Sequence, residues 1–134
     1  MKNYLIDTVI LSMFMRSNEN VVKNFNKHFQ LFQKPLLSIL TYYEILSGLK
    51  YRDSNKQHSI FQNFVKNCEI INLSEKSITV SADIYSLLRK KGVIIDDVDI
   101  LISGICIANN LVLITNNEKH FACVDGLIIE NWSH

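Results

Sequence analysis

Three carboxylates and a pair of amides stand at chemically suggestive places along this chain. Asp7 directly follows the apolar run Tyr4-Leu5-Ile6. Glu44 follows the run Leu36-Leu37-Ser38-Ile39, three residues after Thr41. Asp99 closes the segment Asp96-Asp97-Val98-Asp99, and Asn116-Asn117 follow Leu111-Val112-Leu113-Ile114-Thr115. Brought together, carboxylates repel one another and raise each other's pKa. A hard cation removes that penalty. Magnesium and manganese prefer oxygen ligands, and magnesium keeps several waters beside one or two carboxylates. The chemistry such a site supports is metal-assisted phosphodiester hydrolysis, in which the ion activates a water and stabilises charge on phosphate oxygens.

Each residue also has a plain structural explanation. Asp7 can cap a helix. Glu44 can be the second half of a Thr41-x-x-Glu44 capping box. Asp96, Asp97 and Asp99 can answer the positive end of a helix. Asn116-Asn117 can be a turn, and Thr8 and Thr115 can be cap or turn residues or can orient a carboxylate or a water. What favours a shared site is order: each feature takes the same relative place in successive strand-to-helix units.

The elements that must position them follow from short apolar runs and helical periodicity. Strands are expected at Tyr4-Leu5-Ile6, Leu36 to Ile39, Glu69 to Leu73, Leu111 to Thr115 and Leu127 to Ile129. Helices are expected from about Val9 to Met15, then with Val21, Val22, Phe25, Phe29 and Phe32 on one side up to Lys34-Pro35. A third begins at a Thr41 cap and passes Gly48. Another carries Ile60, Phe61, Phe64 and Val65 after a break at Arg52 to His58. Two more run from Glu75 to Lys91, ended by Gly92, and from Asp96 to about Asn109. Strands alternate with helices, which implies an α/β fold: a mainly parallel central sheet flanked by helices. Open sheets of this kind place their sites outside the carboxyl ends of the strands.

Length and composition set limits. A chain of 134 residues is expected to form one domain. The 48% hydrophobic and 20% charged content is that of a globular protein and argues against disorder. A net charge of +1 provides no general excess of positive charge for nucleic acid, so any RNA contact needs a local basic patch, a metal ion or both. Lys50 and Arg52 are candidates, as are Arg89, Lys90 and Lys91, though a solvated face is the commoner explanation for such charges. The three cysteines, Cys68, Cys106 and Cys123, form no CxxC pair and suit a reducing compartment. No apolar run reaches membrane-spanning length, so a cytoplasmic protein without a membrane segment is expected. The four histidines form no ligand cluster; His120 alone lies near the candidate site, through Asn117.

The combined motifs resemble the PIN-domain family, specifically its VapC-type toxins. Tyr4-Leu5-Ile6-Asp7-Thr8 resembles the family's opening DT segment. Ser38 to Gly48 resembles its S-x-x-T-x-x-E-L-x-x-G segment, and Asp99-Ile100-Leu101-Ile102-Ser103 its D-x-x-I-A segment. Leu113 to Asn117, then Phe121, Gly126-Leu127 and Asn131-Trp132, resemble its closing pattern. Two departures stand out: Val9 where asparagine is usual, and Ser103-Gly104 where a pair of alanines is common.

The resemblance implies a single PIN-like domain over residues 1–134. It implies an endoribonuclease dependent on magnesium or manganese. Asp7, Glu44 and Asp99 would be metal-holding and catalytic, with Asn117 or Asn116 at a fourth position that is often acidic. The cation would lie between Asp7 and Asp99, with Glu44 direct or through water, and the cut would leave a 5′-phosphate and a 3′-hydroxyl. Thr8, Thr115 and Asp97 would lie behind these groups. Implied partners are an RNA substrate, with transfer RNA one choice among structured RNAs, a cognate antitoxin and a second copy of the chain. An arginine fork of the antitoxin would suit the acidic pocket.

Other functions fit less well. A haloacid-dehalogenase-like phosphatase needs an aspartate where Val9 stands. A receiver domain needs an acidic pair at the first strand and a lysine after the last. A non-cutting PIN-type module binding RNA or protein is the remaining alternative; its mark would be loss of a core carboxylate, and all three are present.

Overall fold

The computed structural model describes residues 3–29 and 33–134. Strands and helices alternate as β1 (Tyr4–Ile6), α1 (Thr8–Met15), α2 (Glu19–His28), β2 (Leu36–Ser38), α3 (Ile39–Tyr51), α4 (Asn55–Val65) and β3 (Glu69–Ile71). They continue as α5 (Glu75–Lys90), α6 (Asp97–Ala108), β4 (Val112–Ile114), α7 (Glu118–Phe121) and β5 (Ile129–Glu130). The strands form one sheet in the order β3-β2-β1-β4-β5. All its pairings are parallel. The expected α/β architecture is therefore present.

Alternation along the central strands explains why these runs are apolar throughout. Leu5 and Leu113 enter a cluster with Ile102, Ile105, Cys106 and Phe121. Their neighbours Ile6 and Ile114 enter another, with Ile10, Leu11, Val21, Phe25, Phe61 and Trp132. Successive strand residues point to opposite faces, and helices cover both. The sheet order puts β1 at the middle with β4 beside it, and both strands are paired on either side.

The close fit of α5 against α6 depends on Gly104. A Cβ there would clash with Ser81 Oγ and stand 2.6 Å from the Ser77 carbonyl oxygen. The Ser81 hydroxyl donates to the Ile100 carbonyl at 3.1 Å. The departure at Ser103-Gly104 is thus a packing feature of this helix pair.

Several local expectations need correction. Ser38, not Thr41, caps α3: its Oγ accepts the Thr41 N–H at 3.0 Å. The chain passes from β2 into the helix with no linker, so the serine at the strand end reaches the orphan N–H first. Glu44 therefore lies in the second turn, outside any capping box. That motif occurs instead at Ser74 and Ser77 on α5. Helix α2 stops at His28, well before Lys34-Pro35. Phe29 leaves the helix and packs edge-on against Trp132, ring centres 5.7 Å apart. Phe32, expected on the same stripe, lies outside the described residues. The last strand begins at Ile129 rather than Leu127, because the turn at Gly126, φ 84°, delays entry into the sheet.

Candidate active site

Asp7 emerges where β1 ends and α1 begins. Its N–H still donates to the Ile114 carbonyl at 2.9 Å, continuing the β1–β4 ladder. Its side chain then occupies the N-cap of α1. Oδ1 accepts the Thr8 N–H at 2.9 Å, and Oδ2 accepts the Thr115 hydroxyl at 2.8 Å. The capping role is real, but it does not make the carboxylate comfortable. Asp7 is 7% exposed. Burial pushes its pKa up to about 6 against the two hydrogen bonds that lower it, and the charges of Asp99 and Glu44 raise it further. A buried carboxylate beside two others needs a proton or a cation.

Asp99 lies in the first turn of α6 without acting as its cap; Asp96 has that position and makes no side-chain capping bond. Partial burial raises the Asp99 pKa, the His120 hydrogen bond opposes this, and the Asp96 and Glu44 charges add to the rise. Asp97, in the same turn, is exposed.

Glu44 reaches the site from α3. Its Oε1 accepts the Thr8 hydroxyl at 2.6 Å, and that hydroxyl lies 3.0 Å from Thr41 Oγ. Thr8 thus touches both Asp7, through its N–H, and Glu44, through its side chain. The sequence pointed to Thr8 and Thr115 as supporting residues; buried Thr41, read as a cap, belongs with them.

The two asparagines separate in space. The Asn116 amide faces Met13 Sδ at 4.0 Å. Asn117 turns inward: its N–H donates to Thr115 Oγ at 3.0 Å, and its side-chain amide lies 2.8 Å from His120 Nδ1. His120 Nδ1 is 3.5 Å from Asp99 Oδ2, a longer contact. His120 sits on α7, a helix the sequence reading did not include. The signal was the spacing of three between Asn117 and His120, one helical turn.

The basic candidates disperse. Arg52 lines a groove beside Glu44. Lys50 is exposed on α3. The Arg89 guanidinium stacks over Tyr85, 4.7 Å from the ring centre. Val9 is 45% exposed and apolar, so it offers Asp7 no hydrogen bond where an asparagine could.

Asp7, Glu44 and Asp99 supply only hard oxygen donors. Among the described residues no three histidine, cysteine, aspartate or glutamate side chains are gathered closely enough to hold a metal ion as they stand. That donor set fits a hydrated hard cation, which draws on a few carboxylates and retains its own waters.

The family profile described as PIN domain matches residues 4–127. The chain belongs to the PIN-domain family. Ribonuclease VapC2 of Rickettsia felis is 34% identical over 93 residues, covering 66% of this chain and 69% of that protein. The tRNA(fMet)-specific endonuclease VapC of Shigella flexneri is 25% identical over 135 residues, covering 99% of this chain and all of that protein. Among solved structures, VapBC2 from Rickettsia felis bound to a promoter DNA fragment superposes with a TM-score of 0.85 at 28% identity, covering 96% of this chain and 98% of that one. DNA-bound VapBC from Salmonella typhimurium gives a TM-score of 0.88 at 22% identity, covering 98% and 99%, and supports the fold. No helix among the described residues is long and apolar enough to cross a membrane.

Proposed function

We propose that this PIN domain, residues 1–134, is an endoribonuclease toxin that uses magnesium or manganese and is held inactive by a cognate antitoxin. The observation that carries the reading is Asp7: a buried carboxylate with its pKa near 6, pressed by the charges of Asp99 and Glu44. Such a group is strained without a cation and well suited to one. The named relatives are ribonucleases, and one is named for a transfer RNA.

Asp7, Asp99 and Glu44 would hold the ion. When bound, it lowers the pKa of water and stabilises charge on a phosphate. The remaining work falls to the chain's own groups. The Thr8 N–H and Thr115 hydroxyl hold both Asp7 oxygens in place. The Thr8 side chain fixes Glu44, and His120 with Asn117 bounds Asp99. Fixed orientation of this kind is what a positioned catalytic group requires. Asn117, neutral where relatives are often acidic, lowers the local negative charge and favours a single ion. The products would carry a 5′-phosphate and a 3′-hydroxyl.

The same carboxylates suit a basic residue of the antitoxin, for which a bidentate arginine is the best match. VapBC assemblies among the structural neighbours support such a partner. A homodimer acting on structured RNA, transfer RNA foremost, in the cytoplasm completes the reading. The test is to incubate partner-free protein with total cellular RNA in magnesium, in manganese and in chelator, beside Asp7→Asn. Metal-dependent discrete cuts, lost in the variant, are expected. A folded wild type that cuts nothing with either metal overturns the reading in favour of a non-cutting module.

A further inference from the structure

A groove of about 540 Å³ opens from the acidic site between α1, α3 and α4. Its two helical walls carry matching stripes. On α1 and its C-cap these are Thr8, Ser12 and Arg16; on α3 and its C-cap they are Glu44, Gly48 and Arg52. Residues four apart share one helix face. Each stripe begins at the Thr8–Glu44 hydrogen bond and ends at an arginine eight positions later. At 1.5 Å rise per residue, the backbone of each arginine lies about 12 Å along its helix from the site.

Gly48 seats one of the two. A Cβ on it would stand 3.3 Å from Arg52 Nη1, so the guanidinium lies folded back along the helix over the space a side chain would fill. Neither arginine forms an ion pair with an acidic residue among the described residues. Two guanidiniums at the end of a groove, without carboxylates of their own, are matched to phosphate oxygens. The need is also plain. A polyanion approaching three carboxylates is repelled, and the net charge of +1 supplies no general attraction.

We propose that Arg16 and Arg52 form a phosphate clamp that holds the RNA strand away from the scissile bond, its backbone running along the groove. This rests on the ribonuclease reading above and adds a substrate subsite to it. Folded back to Gly48, four residues from Glu44, the Arg52 guanidinium lies about 6 Å along α3 from the site, roughly two nucleotides at about 3.4 Å each, and Arg16 lies about one turn farther along α1. The clamp therefore acts on substrates of several nucleotides and not on a dinucleotide.

The test is steady-state cleavage by the full partner-free chain. A labelled 12-nucleotide single-stranded RNA and a dinucleotide would be cut at several salt concentrations. Arg16→Ala and Arg52→Ala should each raise KM for the longer RNA about fivefold and leave kcat within twofold. Each should flatten the salt dependence of log KM by about 0.7, the loss of one phosphate contact on a single strand. Arg16→Lys and Arg52→Lys should restore the salt slope but not the whole affinity, because the charge returns without the fork. Dinucleotide kinetics should be unchanged throughout, which a general structural defect would not allow. Unchanged KM and salt slope in the alanine variants, with an active wild type, overturn the clamp and leave the groove to a protein partner. A wild type that cuts no RNA overturns the ribonuclease reading and the clamp with it.

Discussion

The Thr8 hydroxyl donates to Glu44 at 2.6 Å, joining the first turn of α1 to the second turn of α3. The same residue's N–H holds Asp7 at 2.9 Å. One threonine therefore sets the relation between two of the three carboxylates.

Thr8→Val keeps the shape and the Asp7 contact but removes the donor to Glu44. Glu44 is exposed, so the cost in stability should be small, about 1 kcal/mol or less. Activity should suffer more, with kcat/KM for RNA falling about tenfold and Thr8→Ser recovering most of it. Melting curves and cleavage rates measured together check this. Equal losses in valine and serine variants would show that the hydroxyl is not what matters.

The Asp7 pKa gives a pH dependence with a definite sign. The folded value is about 6 and the reference value 3.8, so between them the folded state binds the extra proton. Metal-free stability should therefore fall as pH rises from about 4 to about 6, then level off. The full penalty above that window is about 3 kcal/mol. Asp7→Asn should accordingly be more stable than wild type at pH 7.5 in chelator, by about 2 kcal/mol, and not at pH 4. Thr115→Val removes a bond that lowers this pKa, so it should shift the fall in stability to higher pH. Urea unfolding across pH reads both effects. A wild type whose metal-free stability is flat from pH 4 to 7 would contradict them.

Gly104→Ala tests the packing that presents Asp99. The added methyl meets Ser81 Oγ and the Ser77 backbone carbonyl, and a carbonyl cannot rotate aside. A loss of about 1–3 kcal/mol is expected, typical of overpacking. Ser81→Ala in the same chain should recover only part of it, because the Ser77 carbonyl stays. A neutral Gly104→Ala would mean that α5 and α6 separate freely.

Much of this site was legible in the sequence because strand ends are. Asp7 and Thr115 each follow an apolar run, and the parallel sheet brings those ends side by side. Glu44 was expected one turn too early in its helix. The capping box that placed it does not exist, since Ser38 reaches the helix start first. Its true position, one turn deeper, is what lets it meet Thr8. His120 and α7 were less visible, because a helix of four residues leaves little periodicity to read. Arg52 was already among the candidate RNA contacts, but Arg16 was not: the two line one groove only when α1 and α3 pack, a contact that local patterns do not encode.

The most direct measurement is manganese binding by calorimetry at pH 7.5, in partner-free wild type, Asp7→Asn and Asp99→Asn. The account predicts a site in the wild type whose affinity falls at least tenfold in either variant. Equal manganese affinity in all three would contradict the claim that these carboxylates together hold the ion.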